Sequence, residues 1–160
     1  MSSETRLANE AWEALFRAQV VLMREFAADD IWIEISQNEY DVLYTLSKAP
    51  DGLSMVEVNR DILMTQGGVS RLVNRLVERR LIDRCVDLDD RRASRLRLTD
   101  AGRELQRAVG RRHAHSVAIA MKTALNAEQM QQLRDLSTQI VTLVASRDEL
   151  AETTTKQARR

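Results

Sequence analysis

The segment from residue 65 to residue 102 limits the possible folds of this chain more than any other part of it. Its sequence is TQGGVSRLVNRLVERRLIDRCVDLDDRRASRLRLTDAG. A helical apolar pattern comes first, two short runs that alternate apolar and polar residues follow, and a new helix start closes the segment. The sequence of this segment therefore predicts a helix, then a hairpin, then the start of a second helix.

The first element of this segment is predicted to be a helix over residues 65–79. Its apolar residues fall on one side at about 100° per residue, namely Val69, Leu72, Val73 and Leu76. The other side carries Gly67, Arg71, Asn74, Arg75 and Glu78, with Ser70 at the border. The paired glycines cost about 1 kcal/mol each in a helix. They indicate either the close approach of another backbone, such as a DNA strand, or a plain turn between helices.

The two alternating runs predict strands over residues 82–87 and 94–99. Ile82 and Val86 share one face of the first strand, and Leu96 and Leu98 share one face of the second. The charged tip between them includes Asp89, Asp90, Arg91 and Arg92. These two arginines can enter a minor groove, whose narrowness concentrates negative potential, and a neighbouring aspartate can brace one of them. An ordinary hairpin with a solvated tip is the alternative.

Capping boxes mark the starts of two helices before this segment. Ser36 and Glu39 have the spacing of a reciprocal cap, and so have Ser54 and Glu57. The first of these helices should run for about three turns, and the second should be short.

Longer helices are predicted at both ends of the chain. An amphipathic stripe over residues 6–27 predicts the first, and Thr99 can cap a helix after the hairpin. A further helix should begin near Asn126, while residues 147–160 are polar and are expected to fray.

Two short helices followed by a basic hairpin are the order of a winged helix-turn-helix. In that fold one helix enters the DNA major groove and the hairpin loop reaches the neighbouring minor groove. The chain has only five glycines and one proline, so breaks are few. We therefore predict a mainly α protein that contains a winged helix-turn-helix with a two-stranded β wing and that has double-stranded DNA as a partner.

The charge of the chain is balanced in total but uneven along its length. Residues 1–59 carry four basic and eleven acidic side chains, whereas residues 60–97 carry ten basic and six acidic ones. All ten of these basic residues are arginine, which is suited to forked contacts with phosphate and guanine. The attraction to DNA should therefore be local, although surface arginines that merely solvate helices would give the same count.

Other function classes find little support in the sequence. No run approaches the roughly 18 to 20 apolar residues that span a bilayer, so we expect a cytoplasmic protein without a membrane partner. Glycine loops for phosphate and nucleophile elbows are absent, so we expect neither enzyme activity nor a cofactor. His113 and His115 lie on different helix faces, which disfavours a metal site. The single cysteine, Cys85, cannot form an internal disulfide.

Four short motifs carry a resemblance to a known family. They are SRLVNRL at residues 70–76, LIDR at 81–84, DRR at 90–92 and LRLTDAG at 96–102. Together they resemble the MarR (multiple antibiotic resistance regulator) family of bacterial transcription factors. The resemblance covers about residues 8–147 in architecture, and its specific motifs lie between residues 65 and 102.

This resemblance implies a homodimeric winged-helix regulator, usually a repressor, that is often relieved by a small lipophilic or phenolic effector. It implies a helical dimerisation lobe of residues 1–35 and 100–147, a DNA-binding lobe of residues 36–99, and a polar tail over residues 148–160. Two-fold symmetry would place the two groove-reading helices roughly 34 Å apart on a pseudo-palindromic operator.

The resemblance also assigns DNA contacts. The groove-reading helix begins at Thr65. Its implied base or phosphate contacts are Gln66, Ser70, Arg71 and Asn74, with Arg75 as a backbone contact or a brace. Arg92 matches the family's wing arginine, and Arg91 lies beside it.

Five aromatic residues are candidates for an effector site, namely Trp12, Phe16, Trp32, Tyr40 and Tyr44. They belong to the first two helices and the connector between them, where the family's pockets lie. Packing in an ordinary core is the alternative, since aromatic stripes more often form cores than pockets.

For the chain as a whole, the alternative is a winged helix that docks on protein instead of DNA, because the fold supports both uses.

Overall fold

The computed structural model describes the backbone of residues 2–60, 62, 65–86 and 94–158, and the side chains of these residues except 145 and 147–158. Its elements, in chain order, are α1 (Ser3–Ala27), α2 (Gln37–Ser47), α3 (Met55–Arg60), α4 (Gln66–Glu78), β1 (Ile82–Val86), β2 (Ser94–Leu98), α5 (Asp100–Ala124) and α6 (Ala127–Ala158). The chain divides into two compact units, Met1–Val117 and Ala118–Arg160.

The predicted fold class is confirmed. The described residues are mainly helical and include one antiparallel sheet of two strands. Among these residues, no helix combines the length and the apolar character that crossing a membrane requires.

The predicted capping boxes form, and they fix where the short helices begin. The Ser36 hydroxyl accepts from the Glu39 amide at 3.3 Å, and the Glu39 carboxylate accepts from the Ser36 amide at 2.9 Å. Ser54 and Glu57 make the same pair of bonds at 3.2 and 2.7 Å. The Thr65 hydroxyl accepts from the amide of Gly68 at 3.3 Å and caps α4. Each cap satisfies amides that the first turn of a helix leaves without partners.

The core of the first unit lies between α2, α3, α4 and the hairpin. Fully buried side chains come from each of these elements, among them Leu43, Val58, Leu76, Ile82 and Leu96. The predicted apolar face of α4 is confirmed, since Val69, Leu72, Val73 and Leu76 are all buried. Burial of each such side chain stabilises the fold by about 1.5–3 kcal/mol. The opposite face of α4 is thereby left pointing to solvent.

The hairpin is held by pairing that extends beyond its own two strands. β1 and β2 are antiparallel, with Ile82 opposite Leu98 and Val86 opposite Ser94. Leu53, just before α3, also exchanges two backbone hydrogen bonds with Leu96, at 3.1 and 2.7 Å. Burial differs along the strand, because Ile82 is fully buried whereas Val86 is 64% exposed. The described end of β1 at Val86 therefore lies outside the core.

The end of the hairpin is tied to the end of α4 by the LTDAG stretch. The Thr99 hydroxyl donates to the carbonyl of Arg80 at 2.8 Å and accepts from the amide of Gly102 at 2.9 Å. Gly102 is buried, and a Cβ at this position would overlap the carbonyl oxygen of Leu81. Glycine is required because the first turn of α5 lies directly against the backbone at Leu81.

Two helix bounds differ from the sequence prediction. Helix α1 begins at Ser3 rather than residue 6, because the Ser2 hydroxyl caps it by accepting from the amide of Thr5. Helix α6 continues to Ala158, so the prediction of a frayed end from residue 147 was wrong. That stretch contains neither glycine nor proline, and a helix propagates through such a sequence more easily than it starts in one.

Candidate nucleic-acid interface

The outer face of α4 is the candidate DNA-reading surface. Its exposed residues are Gln66, Gly67, Arg71, Asn74, Arg75 and Glu78, and Ser70 is half-buried. Thr65 is exposed at the start of the helix, with its hydroxyl engaged in the cap. The helix N-terminus and the polar side chains therefore share one solvent-facing surface, which is the arrangement that a groove-reading helix needs.

Gly67 is not required by the fold within the described residues. A Cβ built at this position meets nothing within 4 Å, and the backbone there does not have a positive φ. A turn that requires the backbone conformation of glycine does not explain Gly67, because its φ is not positive. The open space beside Gly67 is compatible with the close approach of an external backbone to the start of α4.

Arg71 is the freest cation on this face. Within the described part of the chain, its exposed guanidinium forms neither a hydrogen bond nor an ion pair. All five of its N–H donors are available to an external acceptor. A planar donor fork of this kind matches two adjacent acceptors on a phosphate or a guanine edge.

Asn74 has a partner in the hairpin. A guanidinium N–H of Arg84 on β1 donates to Oδ1 of Asn74 at 2.6 Å. Both side chains are exposed. The first strand of the wing therefore orients a side chain on the outer face of α4, which the sequence alone did not indicate.

Arg75 and Arg79 anchor α4 to α2 through one carboxylate. Glu39 is buried, and its Oε1 lies 3.5 Å from Nε of Arg75 and 3.8 Å from Nη1 of Arg79. The guanidinium of Arg79 also donates to the carbonyl of Glu34 at 2.8 Å. Arg75 thus contacts protein in this structure, while more than half of its side chain remains exposed.

The charge state of Glu39 follows from these contacts. Burial raises the pKa of its carboxyl, but the hydrogen bonds from Ser36 and Arg75 outweigh burial, and the pKa is lowered from 4.5. Glu39 is therefore ionised at neutral pH and can hold both arginines.

The wing arginines predicted to enter a minor groove, Arg91 and Arg92, lie outside the described residues. Two arginines of the described strand β2 contact the protein itself. Arg95 donates to the carbonyl of Gly52 at 2.7 Å, and Arg97 donates to the carbonyl of Asp51 at 3.0 Å. Part of the basic charge near α4 is therefore used to join the hairpin to the turn before α3.

Comparison with known proteins places this arrangement in a family. Residues 34–93, which include α2, α3, α4 and the start of the hairpin, match the family model described as MarR family. Residues 34–93 of the chain therefore form a MarR-family segment. The family consists of transcriptional regulators, so the chain is a DNA-binding regulator in this broad sense.

Solved structures of MarR-family regulators share the fold. AbsC, a MarR family transcriptional regulator from Streptomyces coelicolor, is 21% identical, with 91% of this chain and 97% of that chain covered and a TM-score of 0.71. A second regulator of the family from that organism, in complex with DNA, is 22% identical over 88% of each chain, with a TM-score of 0.68. The PcaV transcriptional regulator from the same organism, in complex with its natural ligand, is 27% identical, with 84% and 91% covered and a TM-score of 0.61.

The predicted effector residues form two groups. Trp32, Tyr40 and Tyr44 are contiguous, since the Trp32 and Tyr40 ring centroids are 5.7 Å apart and those of Tyr40 and Tyr44 are 6.0 Å apart. Trp12 and Phe16 stack on each other at 6.1 Å on the exposed face of α1.

Two residues that sequence reasoning did not assign to this site complete the aromatic group. His113 on α5 contacts Phe26, Trp32 and Tyr40, with ring centroids 5.2 to 5.6 Å away. Phe26 is buried near the end of α1, ten residues and roughly 15 Å along the helix from Phe16. The spacing of His113 from the buried Val109 on the same helix face was the available signal.

His113 is half-buried and lacks a polar partner within the described residues. Its Nδ1 is buried without a hydrogen bond, and so is Oδ2 of Asp29. Burial lowers the pKa of His113, and the nearby Asp29 carboxylate partly offsets this effect. No group of three or more His, Cys, Asp or Glu side chains with the geometry of a metal site occurs among the described residues.

The contacts of Glu39 predict how stability depends on pH. Glu39→Gln keeps an oxygen that can accept from the Ser36 amide but removes the charge that holds Arg75 and Arg79. Because both arginines are partly exposed and screened by water, the loss at pH 7 should be about 1 kcal/mol of unfolding free energy. Because the pKa of Glu39 is lowered from 4.5 by folding, its carboxylate stabilises the folded protein at pH values above 4.5. This stabilisation is lost as the pH falls below that value and the carboxylate is protonated. The difference between the two proteins in urea unfolding should therefore disappear under acid conditions.

Glu57→Gln is the matched control for this experiment. Glu57 caps α3 in the same way, and its pKa is lowered mainly by the hydrogen bonds with Ser54, with smaller electrostatic contributions from Arg95 and Arg60. Its substitution should cost less at pH 7 than that of Glu39. Equal losses for the two variants at pH 7 would contradict the assigned role of Glu39.

Proposed function

We propose that this chain binds a pseudo-palindromic DNA operator as a homodimer and represses transcription until a small effector binds. The observation that carries the DNA-binding part is the outer face of α4. It presents Arg71, which has no partner among the described residues, together with an open Gly67 and an Asn74 that Arg84 orients. Helix α2 holds this helix through Glu39. Polar groups fixed before contact lose little entropy on binding, so such a surface suits base recognition.

In this proposal the contacts divide by role. Gln66, Ser70, Arg71 and Asn74 contact bases or nearby phosphates, with the exposed start of the helix at Thr65 against the DNA backbone. Arg75 acts first as a brace to Glu39 and has exposed surface left for a phosphate. Arg91 and Arg92 contact the minor groove.

Exposed apolar side chains support the homodimer. On α1, whose residues are all described, only Phe26 is buried, while Leu7, Trp12, Phe16 and Val21 are more than half exposed. On α6, taken by itself, Leu136, Ile140, Leu143 and Val144 are likewise more than half exposed. Large apolar patches of this kind on a small protein favour a protein partner. A second copy would cover both sets, with residues 1–35 and 100–147 as the dimerisation lobe, residues 36–99 as the DNA-binding lobe and residues 148–160 as the tail.

The aromatic group around His113 supports an effector site. Trp32, Tyr40 and Tyr44 supply ring surface, while the buried Nδ1 of His113 and Oδ2 of Asp29 are polar groups that a ligand would satisfy. A small lipophilic or phenolic compound has the matching chemistry. It would relieve repression by preferring a dimer whose two α4 helices are spaced wrongly for DNA.

A winged helix that docks on protein is the second candidate function. The free cation Arg71 and the open backbone at Gly67 favour DNA over this candidate, because an apolar protein interface would need neither. Salt dependence separates the two, since phosphate contacts release counterions and lose affinity steeply as salt rises.

Substitution of two arginines should separate base contacts from backbone contacts. Arg71→Ala should relax discrimination at one base pair by about 1–3 kcal/mol, whereas Arg92→Ala should weaken all duplexes alike and flatten the salt dependence. Gel shifts on the promoter upstream of the chain's own gene, repeated over a salt series, measure both effects. Arg111→Ala, on the exposed surface of α5, is the charge-matched control. Unchanged binding by both test variants would remove these assignments.

A charge on α6 should break the proposed dimer. Leu136→Glu places a carboxylate on the apolar stripe, so the native mass should fall to that of one chain and operator affinity should fall with it. Gln131→Glu adds the same charge on the opposite side of the helix and should leave the dimer intact. Sedimentation equilibrium gives the masses, and a wild-type protein that sediments as a monomer would refute the dimer directly.

Effector binding should be visible at Trp32. In a Trp12→Phe variant Trp32 is the sole tryptophan, so a phenolic compound that enters the aromatic group should change its fluorescence. The same compounds should lower operator affinity, with concentration dependence matching the fluorescence change. Benzoate and 4-hydroxybenzoate are suitable first probes. Identical operator affinity with and without every compound that binds would end the effector proposal.

A further inference from the structure

The hydrogen bond between Arg84 and Asn74 fixes which end of the Asn74 amide faces outward. A guanidinium carries only donors, so the amide atom that meets it at 2.6 Å is the oxygen. The amide nitrogen, with its two N–H donors, is therefore turned away from Arg84. The chemistry of the two groups requires this orientation, because the amide nitrogen cannot accept a hydrogen bond from a guanidinium.

An asparagine that recognises adenine needs both of its amide atoms. Its Oδ1 accepts from the adenine N6 amino group while its Nδ2 donates to N7. In this chain Oδ1 is already engaged by a cation, which makes a stronger bond than a neutral donor does. A second lone pair remains on Oδ1, but an incoming amino group would meet the positive guanidinium beside it.

Guanine offers what this pair can bind. Its major-groove edge carries two adjacent acceptors, O6 and N7, and no donor. Among the described residues, the N–H groups of Asn74 and the remaining N–H groups of Arg84 have no acceptor, so they form an edge made only of donors. Both side chains are exposed. The positive charge of Arg84 and the donors of both side chains thus both favour guanine over adenine.

We propose that Arg84 is a specificity-determining residue, which makes Asn74 select guanine instead of adenine at one base pair of each half-site. This inference rests on the proposed function, because it requires α4 to lie in the major groove. It assigns to a wing-strand residue a role in base selection that is exerted through a neighbouring helix.

Selection from a library of random duplexes tests this inference. Wild-type protein should prefer guanine at the base pair in question. Arg84→Met removes the donors but keeps a long side chain, so the freed amide should select adenine there, with a change in preference of roughly five- to hundredfold. Arg84→Lys, which retains a charged donor, should keep the guanine preference. The double variant Asn74→Ala, Arg84→Met should show no preference at that pair.

The outcomes are distinguishable from one another. An affinity loss in Arg84→Met that is equal for all sequences, or an adenine preference already present in the wild type at that pair, overturns the inference alone. Absence of duplex binding by the wild type in dilute buffer overturns the proposed function as well.

A measurement without variants uses wild-type protein and selected duplexes with 7-deazaguanine in place of each guanine in turn. Loss of N7 at the critical guanine should weaken binding severalfold, and no weakening at any guanine overturns the inference.

Discussion

The buried carboxylate of Glu39 determines how the candidate DNA-reading helix sits on the rest of the fold. It closes the cap of α2 and at the same time pairs with Arg75 of α4 and with Arg79, which follows the last residue of that helix. A charge at this position would be costly without partners, so the arrangement tolerates little displacement of either helix. The ion pairs of Glu39 are weakened by water because both arginine side chains are partly exposed. The apolar core beneath them therefore supplies the larger part of the stability of the fold.

The hairpin is a second constraint on the same helix. Leu53 pairs with Leu96 at one side, and Thr99 and Gly102 join the backbone after α4 to the start of α5 at the other. The described ends of the two strands, at Val86 and Ser94, are exposed beyond these contacts. A firmly held base of the hairpin is what a wing requires if it is to reach a groove beside the one that α4 occupies.

The arginines near α4 do not all have the same task. Arg75 and Arg79 are tied to α2, Arg84 orients Asn74, and Arg97 joins the hairpin to a turn. Arg71 forms no bond within the described residues and remains fully available. A count of basic residues in this segment therefore overstates the charge that is free to meet DNA, because several guanidinium groups act as multiple donors inside the protein.

The sequence by itself determined the elements and the buried face of α4. Capping boxes at Ser36 and Ser54 and the three-to-four spacing of apolar residues are local signals, and local signals decide where helices begin and which side is apolar. The extension of α6 to Ala158 escaped prediction because a polar sequence without glycine or proline does not show whether a helix stops.

Only the tertiary structure decided which polar side chains meet. The two members of each pair belong to different elements of the chain. The pairs are Glu39 with Arg75, Asn74 with Arg84, and His113 with Trp32. No periodicity encodes such pairs, since they form only when the packing of the apolar faces brings those elements together.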